Sequence, residues 1–317
     1  MKGSNMQLNR VKVAAVAGLI AFGLVAGSTA TASATPAASK GGPLKGVKVI
    51  VGSKDFTESI LLSKIVKQLV LAKGGSVVDK TNIKGSVTTR DAMLKGAINL
   101  YWEYTGTAWF NYLKQTSLLP PSQLYAKVKA GDLKSHKVAW LPMTSFNDTY
   151  AFAMTQAKAK QYGVTTMSEA ATKVPASDQV WCVESEFQSR PDGWAGVAAK
   201  YNLKPSNLKV LDTGAIYQAT AQDQCTFGEV FATDGRIGAL KLKVLQDDAN
   251  YFPPYNAAIT MNASYAKKYP KLVKLLAPIA GKINNATMAV MNARVDVLGE
   301  DADTVAKDFL RAAKLIK

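Results

Sequence analysis

The sequence predicts an α/β protein with largely parallel sheets, large enough for two layered units. Three observations carry this. Short β-rich runs alternate with helical segments, most runs end in a glycine or polar loop, and the middle of the chain repeats the theme. At 317 residues the chain can bury one large core or two medium ones. Its 48% apolar and 20% charged content is that of an ordinary globular protein.

The first 40 residues stand apart. Lys2, Arg10 and Lys12 precede an apolar run from Val13 to Val25, followed by small residues from Ala26 to Ala38. That is the layout of a secretory signal over residues 1–34, with Ala32-Ser33-Ala34 as its cleavage site. The apolar run is short for a membrane span. No cysteine lies there for lipid attachment, so the expectation is an exported protein, periplasmic or at the cell surface. Residues 35–44 read as a flexible tether.

From Val47 the elements follow in order. Val47 to Val51 is β-branched and ends at Gly52, as a buried strand does. Ser53-Lys54-Asp55 makes a loop, and Ile60, Leu61, Ile65 and Leu69 then share a helical face. Asp55 and Glu58 have the spacing of a helix N-cap and its N3 partner, and Gly74-Gly75 can stop the helix. Strands follow at Ser76 to Val78 and Ile98 to Tyr101, then at Thr149 to Met154, Gln179 to Val183 and Leu208 to Leu211. Further strands are expected at Phe227 to Phe231, Leu242 to Leu245 and Ala257 to Met261. Helices are expected at Asp192 to Tyr201, Ile216 to Gln222 and over most of Ser264 to Lys314.

Composition excludes several functions. The net charge of +16 comes from lysines scattered along the chain, without a basic block or interleaved aromatics, so no nucleic-acid reader is indicated. A solvated basic surface fits better, with weak attraction to anionic lipid or wall polymer as a by-product. One histidine, His136, and no Cys/His cluster argue against a metal site, and no cofactor motif is present. Cys182 and Cys225 permit one disulfide, with two buried thiols as the alternative. An enzyme lacks a nucleophile elbow, metal-ligand spacing or phosphate loop.

Open α/β sheets bind ligands beyond the carboxyl ends of their strands, where Lys54, Tyr104, Glu186, Arg190 and Asp234 fall. Five blocks sharpen this: Gly52-Ser53-Lys54-Asp55-Phe56-Thr57-Glu58, Tyr101 to Ala108, Ser189 to Gly193, Thr233 to Ile237, and Asp247 to Tyr255. In that order they resemble the osmoprotectant-binding proteins of ABC importers, the glycine betaine, carnitine and choline binding family. The likeness runs from Val47 to the C-terminus.

The resemblance implies a bilobal periplasmic-binding-protein fold of type II, two α/β lobes joined by a two-strand hinge. Residues 45–141 and 258–317 would form one lobe and 142–257 the other. It implies a monomer that closes on its solute and delivers it to a permease. Tyr104, Tyr150 and Tyr255 match the family's aromatic cage positions, and Phe231 falls where the family often has Tyr, keeping the π face but losing the hydroxyl. Lys54, Thr107 and Arg190 match positions that grip a carboxylate, and Asp148 and Glu186 match acidic positions that orient Arg190 or complement the cation.

The chemistry agrees with that pattern. A quaternary ammonium has no N–H to donate, and its methyl groups are apolar, so aromatic faces both attract and desolvate it. Arg190 offers a fork and Lys54 a point charge to a carboxylate, which favours zwitterions such as glycine betaine over choline. A choline- or carnitine-preferring protein of the same fold, or a surface protein that has lost its ligand, are the competing readings. Tyr101, Trp102, Trp109 and Tyr217 read as packing residues, Asp234 and Arg236 as a paired turn, Asp247-Asp248 as a solvated loop, and His136 as an exposed loop residue.

Overall fold

The computed structural model describes residues 41–203 and 207–317. The expected signal and most of the tether lie outside the described residues. Of the tether, residues 41–44 are described, and Leu44 is part of the core, 1% exposed, with its N–H donated to Lys73 O at 3.0 Å.

Two five-stranded sheets organise the described residues. The first contains β1 (Lys48–Lys54), β2 (Ser76–Ile83), β3 (Leu100–Tyr104), β4 (Val138–Asn147) and β10 (Asn256–Asn262), in the order β2-β1-β3-β10-β4. The second contains β5 (Tyr150–Thr155), β6 (Val180–Val183), β7 (Asn207–Val210), β8 (Phe227–Phe231) and β9 (Leu242–Val244), in the order β7-β6-β8-β5-β9. The expectation of largely parallel sheets holds for half of each. β1 runs parallel to β2 and β3, and β6 to β7 and β8, whereas β10 and β5 run antiparallel to both their neighbours. A strand that enters a sheet from the other lobe arrives from the opposite end, which reverses its direction.

β4 escapes sequence reading because Pro142 interrupts it. The pairs Thr260↔Trp140 and Ala258↔Met143 leave two residues of β4 facing one of β10, so the proline lies in a bulge on an edge strand. The boundaries drawn at 141/142 and 257/258 therefore cut through β4 and β10. The chain passes between sheets at Asp148-Thr149 and again between Val244 and Asn256.

Helix α1 (Thr57–Ala72) buries Leu61, Leu62, Ile65, Val66 and Leu69 against the first sheet, and Gly74, at φ +85°, ends it. The expected Asp55–Glu58 cap does not form. Phe56 occupies the N-cap position without a side-chain bond, and Glu58 turns inward. In the second lobe Trp181 stacks on Phe227 at 4.1 Å, with Phe152 and Trp194 around them. Cys182 and Cys225 are bridged across this lobe, with Cα atoms 5.8 Å apart. His136 closes the helix Pro121–His136 rather than a loop, its Nδ1 2.8 Å from Asp132. Asp247 is more than a solvated loop residue, since it accepts the N–H groups of Tyr251 and Phe252.

Candidate ligand-binding site

Where the two sheets meet, a narrow gap opens to solvent, with free space of about 30 Å³ between its walls. Its walls include every residue expected to bind solute: Lys54, Tyr104, Thr107, Asp148, Tyr150, Glu186, Arg190, Phe231 and Tyr255. Asp234 lies apart, in a neighbouring crevice, where it pairs with Arg236 at 2.5 Å as the turn reading anticipates.

Five aromatic rings form one wall. Phe56 stacks on Phe231 with centroids 5.3 Å apart and lies 5.9 Å from Tyr104. Tyr150 lies 5.3 Å from Phe231 and 5.2 Å, edge-on, from Tyr255. Strand ends fix these positions: Tyr104 closes β3, Tyr150 opens β5 and Phe231 closes β8. Gly106 admits the Tyr255 ring, because a Cβ at that residue would sit 2.6 Å from Tyr255 Cε1. Sequence reasoning missed Phe56, although it lies inside the first block, one residue beyond Asp55 at a strand-to-helix turn.

The charged wall is more committed than expected. Lys54 Nζ lies 2.6 Å from Glu103 Oε1 and 5.0 Å from the centre of the Tyr104 ring. Glu103 also accepts the hydroxyls of Tyr101 and Tyr112, at 2.7 and 2.9 Å. Arg190 donates Nε and Nη2 to Asp192 at 2.9 and 2.6 Å, Nη1 to Glu186 at 3.0 Å, and Nη2 to Thr107 at 3.3 Å. Its guanidinium carbon lies 5.2 Å from the Tyr150 ring centre. Glu186 thus contacts Arg190, which is compatible with one of the two roles expected of it. Asp148 does not; it accepts from Thr233 Oγ1 at 2.6 Å. Asp192 and Glu103, the partners of the two bases, were not expected at the site.

The gap is acid-rich. Lys54 and Arg190 face Asp55, Asp148, Glu184 and Glu186 along its lining. Burial pushes Glu186 upward, but Lys54, Arg190 and the Ser86 N–H at 2.8 Å outweigh it and hold this carboxyl below its ordinary range. Burial, then the charge of Glu186, raises Glu184 to about 7. Burial also drives the Asp148 carboxyl well above its ordinary range, reinforced by the adjacent Glu58. Contacts also cross between the lobes: the Ser86 N–H and Thr107 of the first meet Glu186 and Arg190 of the second. No cluster of side chains suited to a metal ion occurs among the described residues.

The sequence pattern of the family described as "Substrate binding domain of ABC-type glycine betaine transport system" matches residues 47–312. The chain belongs to this family. It is 34% identical over 275 residues to the glycine-betaine-binding protein of Pseudomonas aeruginosa, covering 84% of this chain and 88% of that one. It is 32% identical over 263 residues to the ergothioneine transport permease/ergothioneine binding protein of Helicobacter pylori, covering 83% of this chain but 47% of that longer protein. A crystal structure of a glycine betaine/carnitine/choline ABC transporter superposes with a TM-score of 0.70 at 26% identity, covering 85% of this chain and all of that one. The two mixed sheets are those of a type II periplasmic-binding-protein fold.

Proposed function

We propose that this chain captures a quaternary-ammonium solute, such as glycine betaine, between its lobes outside the cytoplasm and presents it to an ABC permease. The observation that carries the reading is five aromatic rings enclosing one side of an acid-lined gap. Phe56, Tyr104, Tyr150, Phe231 and Tyr255 hold the methylated cation in this reading. Each ring contact contributes about 0.5–2 kcal/mol, so five rings supply roughly 2.5–10 kcal/mol before the cost of association, a substantial share of the roughly −8 kcal/mol of a micromolar complex.

Lys54, Thr107 and Arg190 serve the solute's other end. Lys54 gives one of its three N–H donors to Glu103, which leaves others for a solute carboxylate. A solute touching both lobes binds the closed arrangement better and shifts the population toward it. Choline is the second reading, favoured by one observation: Lys54 and Arg190 already have protein carboxylates as partners. A thermal-shift and calorimetric panel of glycine betaine, proline betaine, carnitine, choline and proline separates the two, because binding must stabilise the folded state. No response to any quaternary ammonium would refute the reading.

A further inference from the structure

Behind the Tyr104 ring lies Glu58, 4% exposed, in the first turn of α1. Its Oε1 accepts the Tyr104 hydroxyl at 2.8 Å, and its Oε2 accepts Asn292 Nδ2 at 3.1 Å. Oε2 also lies 2.5 Å from Thr233 Oγ1, which is itself 2.6 Å from Asp148 Oδ1. A threonine hydroxyl has one proton and can donate it to only one of these carboxyls. The other short contact requires a proton on the carboxyl itself. Glu58 and Asp148 thus meet on the same threonine oxygen. We infer that Glu58 and Asp148 share one proton in the closed protein, and that this proton latches Thr233 of the second lobe to the first while Glu58 positions the Tyr104 ring. The inference rests on the solute-binding reading above.

The surroundings support one proton rather than none. Facing the pair are Tyr104 from the first sheet, with Glu103 beyond it against Tyr104, Asp296 and Asn292 from the helix Asn285–Asp296, and Tyr217, Asp234 and Arg236 from the second lobe. Arg236 is held by Asp234 at 2.5 Å and lies 3.7 Å from Asp296, and Lys54 is held by Glu103. Neither cation is free to keep two adjacent buried carboxylates ionised. Burial first, and Glu58 next, push Asp148 upward, and burial raises Glu58 as well. A pair with one proton keeps a charge of minus one, which complements a cation in the cage.

When the lobes part, Thr233 leaves and water reaches both carboxyls, so near neutral pH both ionise. Closure on a solute then takes up a proton. The pair's pKa is higher closed than open. Affinity is therefore fully present below the ordinary carboxylate range and falls as pH rises above it, by at most about tenfold per pH unit for one proton. The fall stops once the closed pair also loses its proton.

Calorimetry of glycine betaine binding in two buffers of different ionisation enthalpy, from about pH 6 to about pH 9, reads this directly. The expected result is an uptake by the wild type that exceeds that of Glu58→Gln by close to one proton, with a correspondingly shallower pH dependence of affinity in the variant. Zero uptake by the wild type across that range would overturn the latch. If no quaternary ammonium binds at all, the solute reading fails separately. The carboxylic-acid infrared absorption of the wild type minus that of Asp148→Asn then decides the latch: a component lost in the variant sustains it, and identical spectra overturn it.

Discussion

At the scale of single residues, ring faces and charge pairs make separable contributions. Tyr104→Ala removes one face of the cage and the anchor to Glu58. Affinity for glycine betaine and for choline should both fall by about tenfold or more, since roughly 1.4 kcal/mol is a factor of ten. Unchanged titrations of both would remove Tyr104 from the cage. Arg190→Ala should weaken glycine betaine far more than choline, and equal losses would contradict a role at the carboxylate end. Glu184 gives a pH signature of another kind. Its carboxyl is raised from 4.5 to about 7 by burial and the nearby Glu186. It therefore favours the folded state below its ordinary pKa and disfavours it increasingly as pH rises toward 7. Glu184→Gln should melt higher than wild type at pH 8, by roughly 3 °C or more, with the gap closing toward pH 4. A gap that does not change with pH would refute the assignment. Much of this site was legible in the sequence, because the motif blocks place Lys54, Tyr104, Arg190 and Tyr255 together. What could not be read was pairing. Glu103 meets Lys54 from a different strand, Asp192 meets Arg190 within one turn only two residues away, and Glu58 has the spacing of a capping residue although the backbone turns it inward.

At the scale of elements, the alternation of β-branched runs and helical faces was enough to find nine of the ten strands among the described residues. The tenth, β4, was hidden because Pro142 contradicts strand propensity except at a bulge on an edge. Strand direction was hidden too, since it depends on which lobe the chain arrives from and not on composition. The Cys182–Cys225 bridge closes a stretch of 43 residues, and its loss should cost up to about 4 kcal/mol in chain entropy. Reduction should lower the melting temperature of the oxidised protein by several degrees, and an unchanged transition would refute a stabilising role. Gly106→Ala tests how an element serves the site: the added Cβ would meet the Tyr255 ring at 2.6 Å. Solute affinity should fall while the fold persists, and a normal affinity would mean that the ring can shift without cost.

At the scale of the whole molecule, two mixed sheets exchange chain at Asp148-Thr149 and before Asn256, so cage residues lie at or beside the crossings. Phe56 and Tyr104 come from one lobe, Phe231 and Arg190 from the other, and Tyr150 and Tyr255 adjoin the passages between them. In the proposed reading, that placement makes the solute the bridge that stabilises closure. The central claim is that aromatic faces recognise methylated nitrogen. Calorimetric titration of the purified protein with glycine betaine and with unmethylated glycine tests it most directly, because the two share a carboxylate and differ in the methyl groups. The account predicts glycine betaine binding on the order of micromolar and no measurable binding of glycine; equal binding of the two, or none of glycine betaine, choline and carnitine, would contradict it.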